Sequence, residues 1–285
     1  MTSRYLRQLV GRRLRGHRLR MDFSQKQVAD AIGRNVRTCI RQESGESSIS
    51  EPDLRRLAEL YEIPAAKAAQ LAEWAEEGQN LDWYEENVEF FGESGLNVLS
   101  FDGVAVEMRE LHTRVIPGQL QTEGYARALI APRYQDEAAS TAGVHARLFR
   151  VQALNERPDP PRISVVMDEF AVTRLYGGPR VMVEQLEHLL VLAHDDRHDI
   201  RIVPFSAGGY PGDGAPFGLV FVDDDRIGVR ESIVVSGDEA AIHTDDDTVV
   251  AAHLALWDGA VGAALSCADT AALIEARIAD LRRSL

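Results

Sequence analysis

The sequence predicts two units: a small, all-helical bundle of five helices over residues 1–78 and a larger α+β domain over 79–285 with a mainly antiparallel sheet. Three observations lead there. As far as Glu77, apolar residues recur at helical spacing in short runs, each bounded by a capping residue or a glycine. From Leu96 onward, helical runs alternate with β-branched stretches such as Arg162–Met167 and Ile200–Phe205. The third is charge. Residues 1–45 carry eleven basic and three acidic residues, a balance of +8, whereas the remainder carries twenty basic and forty-two acidic residues, a balance of −22. A basic head on an acidic body points to nucleic acid at the head alone.

The head reads in order. Tyr5–Arg20 is a helix with Leu6, Val10 and Leu14 on one face, while Arg4, Arg7, Arg12, Arg13, Arg15, Arg18 and Arg20 crowd the others. Such a charge run serves as a solvated or, in part, a phosphate-contacting face, which makes Arg12 and Arg13 candidates for backbone contacts. Ser24 is an N-cap, Val28, Ala29 and Ile32 repeat at helical spacing, and Gly33 closes that helix. Asn35 caps a second helix in which Val36, Cys39 and Ile40 recur, and Gly45 ends it. Two short helices about a tight turn make the helix-turn-helix plan, whose second helix fits a DNA major groove. Ser50, with Pro52 behind it, caps a fourth helix, and Pro64 opens a fifth. Residues 78–93 form an aromatic junction containing Trp83, Tyr84, Phe90 and Phe91.

In the body, Leu96–Glu107 reads as a helix and Met108–Ile116 as a strand. Thr122 caps a helix through Ile130, and Asp136–Glu156 is a long helix. Arg162–Met167 is a strand, Asp168 caps a short helix to Tyr176, and Pro179 opens an amphipathic helix to about His194. Ile200–Phe205, Pro216–Val222 and Arg226–Val234 read as three further antiparallel strands. Asp245–Ala264 and Asp269–Arg283 close the chain as helices.

Several function classes are disfavoured. No apolar run reaches membrane-span length, the N-terminus lacks the pattern of a secretory signal, and two distant cysteines suit a reducing cytoplasm. His194 and His198 are spaced i, i+4 but lack a third ligand, so no metal is expected. Asp223–Asp225 suits a hairpin turn and Asp245–Asp247 a helix N-terminus. The glycine-rich run Phe205–Gly214 precedes a strand rather than a helix, which favours a long hairpin loop over a phosphate cradle. No nucleophile elbow, Walker motif or catalytic Cys–His spacing is present, so neither enzymatic activity nor a cofactor is expected.

Residues 4–75 resemble the lambda-repressor/Cro-like, or XRE-type, helix-turn-helix family. The resemblance rests on Ser24-Gln25, Val28-Ala29, Ile32-Gly33, Asn35 and Arg41-x-Glu43-x-Gly45. It implies that Gln25 meets the DNA backbone and that Val36, Arg37 and Ile40 face base edges, with Arg41 alongside. Asn35 and Thr38 belong to the same DNA-binding end. Arg37 has an independent physical case, because its fork matches the O6 and N7 acceptors of guanine. The resemblance also implies an Arg18–Glu43 pair that orients the recognition helix.

Pro117-Gly118-Gln119-Leu120-Gln121-Thr122-Glu123-Gly124-Tyr125-Ala126-Arg127-Ala128 resembles a P-G-L-L-Q-T-x-x-Y-A-R-A signature, with Gln119 in place of a Leu. With Asp168-Glu169, Gly177-Gly178-Pro179, Gln185-Leu186 and Val203–Gly208, it is similar to the C-terminal domain of unknown function in antitoxin-like actinobacterial regulators. The resemblance implies a cytoplasmic, sequence-specific transcription regulator, expected to bind double-stranded operator DNA as a homodimer. Two other readings stand beside it: a module that sequesters a small partner protein from an adjacent gene, and a repressor that answers a small-molecule effector. Trp83, Tyr84, Gln119, Gln121, Tyr125 and Tyr210 are the ligand or partner candidates.

Overall fold

The computed structural model describes residues 3–80, 82, 88–225, 229–236 and 242–285. Trp83 and Tyr84 lie outside the described residues. The chain divides into two compact units, Met1–Val104 and Ala105–Leu285.

Among the described residues, the first unit contains six helices: α1 (Ser3–Arg20), α2 (Gln25–Ile32), α3 (Val36–Glu43), α4 (Glu51–Leu60), α5 (Ala65–Glu77) and α6 (Val88–Asp102). Sequence reasoning places the junction at 78/79, and α1 supplies the reason the compact unit runs on to Val104. Its arginines at positions 4 and 7 do not face outward as the charge run suggests. Both are buried. The Arg4 backbone N–H donates to Asp82 at 2.9 Å, and its guanidinium donates to Asn97 at 2.8 and 3.1 Å. Arg7 donates to the Gly78 and Asn80 carbonyls at 2.8 Å. Gln8 reaches Asn97 at 2.7 Å and accepts from Ser100 at 2.9 Å. The long stems of these arginines cover apolar surface while their heads satisfy loop carbonyls, so a basic residue here is structural.

The apolar periodicity forms the core of the head. Val10, Leu14, Val28, Ala29, Ile32, Cys39, Leu54, Leu57 and Tyr61 pack in one buried cluster. α1 crosses the end of α3 closely enough that a Cβ at Gly11 would lie 2.5 Å from the Gln42 carbonyl oxygen and 2.6 Å from that of Glu43. Gly11→Ala is therefore expected to destabilise the first unit by about 1–3 kcal/mol, since the backbone must move to make room. Denaturant unfolding checks this; an unchanged midpoint would contradict the close approach.

The second unit is built on a six-stranded mixed sheet in the order β3-β2-β1-β4-β5-β6. The strands are β1 (Ala105–His112), β2 (Arg162–Asp168), β3 (His198–Val203), β4 (Phe217–Asp224), β5 (Val229–Ser236) and β6 (Ile242–Thr244). The sheet is mostly antiparallel through β1-β4, β4-β5 and β5-β6, but β1-β2 and β2-β3 run parallel. This corrects one sequence expectation. β3 does not belong with the antiparallel strands that follow it; it lies at the opposite edge, beside β2. The helices between these strands explain why. α7 (Glu123–Ile130) and α8 (Glu137–Asn155) connect β1 to β2. α9 (Phe170–Thr173) and α10 (Gly178–Leu192) connect β2 to β3. Helical crossovers of this length return the chain parallel to its previous strand.

Two further corrections follow from the same arrangement. Residues 105–107 are strand rather than helix, because the chain leaves α6 at Gly103 and alternates in burial from Ala105. Phe205–Gly214 is not a hairpin loop, since β3 and β4 are not paired. It carries the chain from one side of the sheet to the other, with Tyr210 buried in the core. α11 (Asp247–Ala263) and α12 (Cys267–Arg283) close the unit. At the β3 edge, the Ile202 N–H donates to Thr270 at 3.1 Å, and its carbonyl accepts from the Leu265 N–H at 2.8 Å. These bonds cap an edge strand that would otherwise offer free backbone groups.

Candidate nucleic-acid interface

Capping sets the two helices of the motif. The Ser24 hydroxyl accepts from the Gln27 N–H at 3.2 Å, and Gln27 Oε1 accepts from the Ser24 N–H at 2.8 Å, which is a capping box. Gly33 ends α2 in the left-handed region at φ 71°. Asn35 Oδ1 then accepts from the Thr38 N–H at 2.8 Å and from the Thr38 hydroxyl at 3.1 Å, fixing the start of α3. Asn35 and Thr38 thus act on each other at the helix N-terminus.

α3 has two unlike faces. Cys39 and Gln42 are buried, while Val36, Arg37, Ile40 and Arg41 are exposed. Val36 and Ile40 are 37% and 45% exposed and lie one helical turn apart, so they share the outer face of α3. Arg41 stands 3.6 Å from Glu46, both on the surface. Arg13 is exposed, whereas Arg12 lies over the buried Tyr5 ring at 5.8 Å.

Behind the exposed face, Glu43 accepts three side-chain hydrogen bonds from two residues. Arg18 donates to both its oxygens, Nε at 2.5 Å and Nη2 at 3.0 Å, and Gln25 Nε2 donates to Oε2 at 2.8 Å. Arg18 also donates to the Phe23 carbonyl at 2.8 Å. The bidentate bond raises the Arg18 guanidinium above its ordinary value and so favours the charged form. One carboxylate therefore ties α1, α2 and the end of α3 together. Gln25, which the resemblance places on the DNA backbone, spends its amide N–H on this carboxylate.

Sequence reasoning missed Arg34. This residue occupies the turn between α2 and α3 and donates to both oxygens of the buried Asp53 at 3.0 and 3.2 Å, fixing the turn to α4. An Arg in a basic head and an Asp in a helix first turn each have commoner local uses, so neither advertises the pairing.

In the second unit, Gln119 and Gln121 line a cavity of about 560 Å³. Tyr125 and Tyr210 do not. The Tyr125 hydroxyl accepts from the Ile116 N–H at 3.2 Å, and the Tyr210 hydroxyl donates to Asp168 at 3.3 Å. His194 and His198 do not share a helix, since α10 ends at Leu192 and His198 begins β3. Among the described residues, no cluster of three His, Cys, Asp or Glu is arranged to hold a metal ion. Asp246 caps α11 by accepting from the Thr248 and Val249 N–H groups at 3.0 and 3.1 Å.

Residues 9–71 match a family model described as a helix-turn-helix domain, in agreement with the geometry of α1–α5. The first unit thus carries a helix-turn-helix domain, which supports a DNA-binding regulator. Residues 97–276 match the model of a domain of unknown function, DUF5753, and the chain belongs to that family. No curated protein and no solved structure matches it. Among the described residues, no single helix is long and apolar enough to cross a membrane.

Proposed function

We propose that the chain is a cytoplasmic, sequence-specific transcription regulator that binds operator DNA as a homodimer and receives a signal through its second unit. The observation that carries this reading is the outer face of α3. Val36, Arg37, Ile40 and Arg41 stand together in solvent on a short helix held rigidly from behind, in the most basic part of the chain. In this arrangement Arg37 reads a guanine edge and Val36 or Ile40 meets a thymine methyl. A single eight-residue helix touches few bases, so the reading requires two copies on half-sites about one helical turn apart. Arg13 contributes through phosphate and carries no sequence information.

Salt dependence separates the two kinds of contact. Arg13→Ala should weaken binding equally on all sequences and make the slope of log K against log salt shallower by about 1. Fluorescence anisotropy on one duplex from 50 to 300 mM salt measures this. A slope identical to that of the unaltered chain would remove Arg13 from the interface.

A further inference from the structure

The cavity of about 560 Å³ in the second unit is lined by residues following β1, by α7 and by α8. Its charge is opposite to that of the body around it. Arg114, Arg133, Arg147 and Arg150 line it, with Glu110 as the acidic member. Glu110 is engaged with His112 at 2.8 Å. Burial pushes the Glu110 carboxyl up, but the His112 hydrogen bond and charge, the charge of Arg150 and the amide of Gln119 outweigh burial and hold it below its ordinary value. Arg147 is positioned with care. Its Nη1 donates to Gln121 Oε1 at 2.9 Å, and Gln121 is fixed in turn by donating to the Ile116 carbonyl at 2.6 Å. Gly118 leaves it room, since a Cβ there would stand 3.0 Å from both Cδ and Nη1. Burial, and then the charges of Arg150 and Arg133, lower the Arg147 guanidinium to about 10.

Converging guanidiniums repel one another, and a fold holds them together at a cost that a bound anion would relieve. A second observation concerns an uncharged donor. Gln119 is 6% exposed and lines the cavity, and its side-chain amide turns to the Glu110 carboxylate without forming a well-aligned hydrogen bond. A buried amide donor held this loosely is free to turn to a better-placed acceptor. Ile116, Leu129, Ile130 and Tyr176 supply an apolar wall beside these donors.

We propose that this cavity binds a small organic anion, with a carboxylate or phosphate head held by Arg147, Arg150 and Gln119 and an apolar body against Ile116, Leu129 and Tyr176. This deepens the reading that the second unit receives a signal, and it stands or falls without DNA in the experiment.

Isothermal titration calorimetry of the full chain with phenyl phosphate and with 3-phenylpropanoate tests it, and the tighter of the two identifies the head group. Saturable binding of at least one is expected, weakened tenfold or more by Arg147→Gln and by Arg150→Gln. Glu110→Gln should tighten it severalfold by removing the acidic member, a gain that misfolding cannot imitate. Absence of saturable binding by both probes would overturn the proposal. So would equal binding of the uncharged 2-phenylethanol, or unchanged affinity in folded Arg147→Gln and Arg150→Gln chains. Failure here leaves the DNA-binding reading intact, because the salt-slope experiment uses neither probe.

Discussion

Glu43→Ala is expected to destabilise the first unit by about 3 kcal/mol, the low end for breaking a buried ion pair. The side chains of Arg18 and Glu43 are 9% and 10% exposed, so removing the carboxylate leaves a guanidinium with little access to water and two empty donor directions. Gln25 loses its acceptor at the same time, which frees the start of α2. The cost is thus the desolvation of an uncompensated charge rather than the net worth of the pair. Arg18→Met with Glu43→Leu separates these. Apolar residues of similar size should restore most of the stability, as replacements of buried ion pairs often do. They should not restore DNA affinity fully, because the polar tie that sets the angle of α3 against α1 and α2 is gone. Thermal unfolding and DNA binding of the two variants check this; a stable, fully DNA-competent Glu43→Ala chain would mean the pair has no orienting role.

Arg37→Ala is expected to cost about 1–3 kcal/mol in affinity for the preferred sequence and to relax selectivity at one base position. Arg37 is exposed as the second residue of α3, near the helix N-terminus, the end that contacts base edges in helix-turn-helix complexes. Arg34, the nearest basic residue before α3, does not stand in for it, since it is bound to Asp53. Binding of Arg37→Ala to the preferred duplex and to single-base variants separates base reading from phosphate contact. Equal weakening on every duplex would make Arg37 a phosphate ligand.

The head was largely legible from its residues because its signals are local. Ser24, Asn35 and Ser50 cap the helices they precede, and each cap is visible within four residues of sequence. What sequence reading missed depends on distance along the chain. Arg4 and Arg7 looked like surface charge, and only their contacts with residues 78–97 make them structural. Arg34 gains its role from Asp53, nineteen residues later. The placement of β3 shows the same limit: a β-branched run reveals a strand but not its neighbour, and only the α9–α10 crossover sets it parallel to β2. Gln119 stood out as a departure from a signature, yet its place beside Glu110 in a cavity became visible only when α8 brought Arg147 and Arg150 to the same cavity.

The central claim is that the exposed face of α3 reads a defined sequence. Selection of bound duplexes from a randomised pool by the full chain tests it most directly. The expected result is a two-fold symmetric motif with half-sites about one helical turn apart, whose strongest position loses its preference in Arg37→Ala. A pool that stays random after repeated selection, with binding that disappears uniformly as salt rises, would contradict it and leave the head a sequence-blind basic surface.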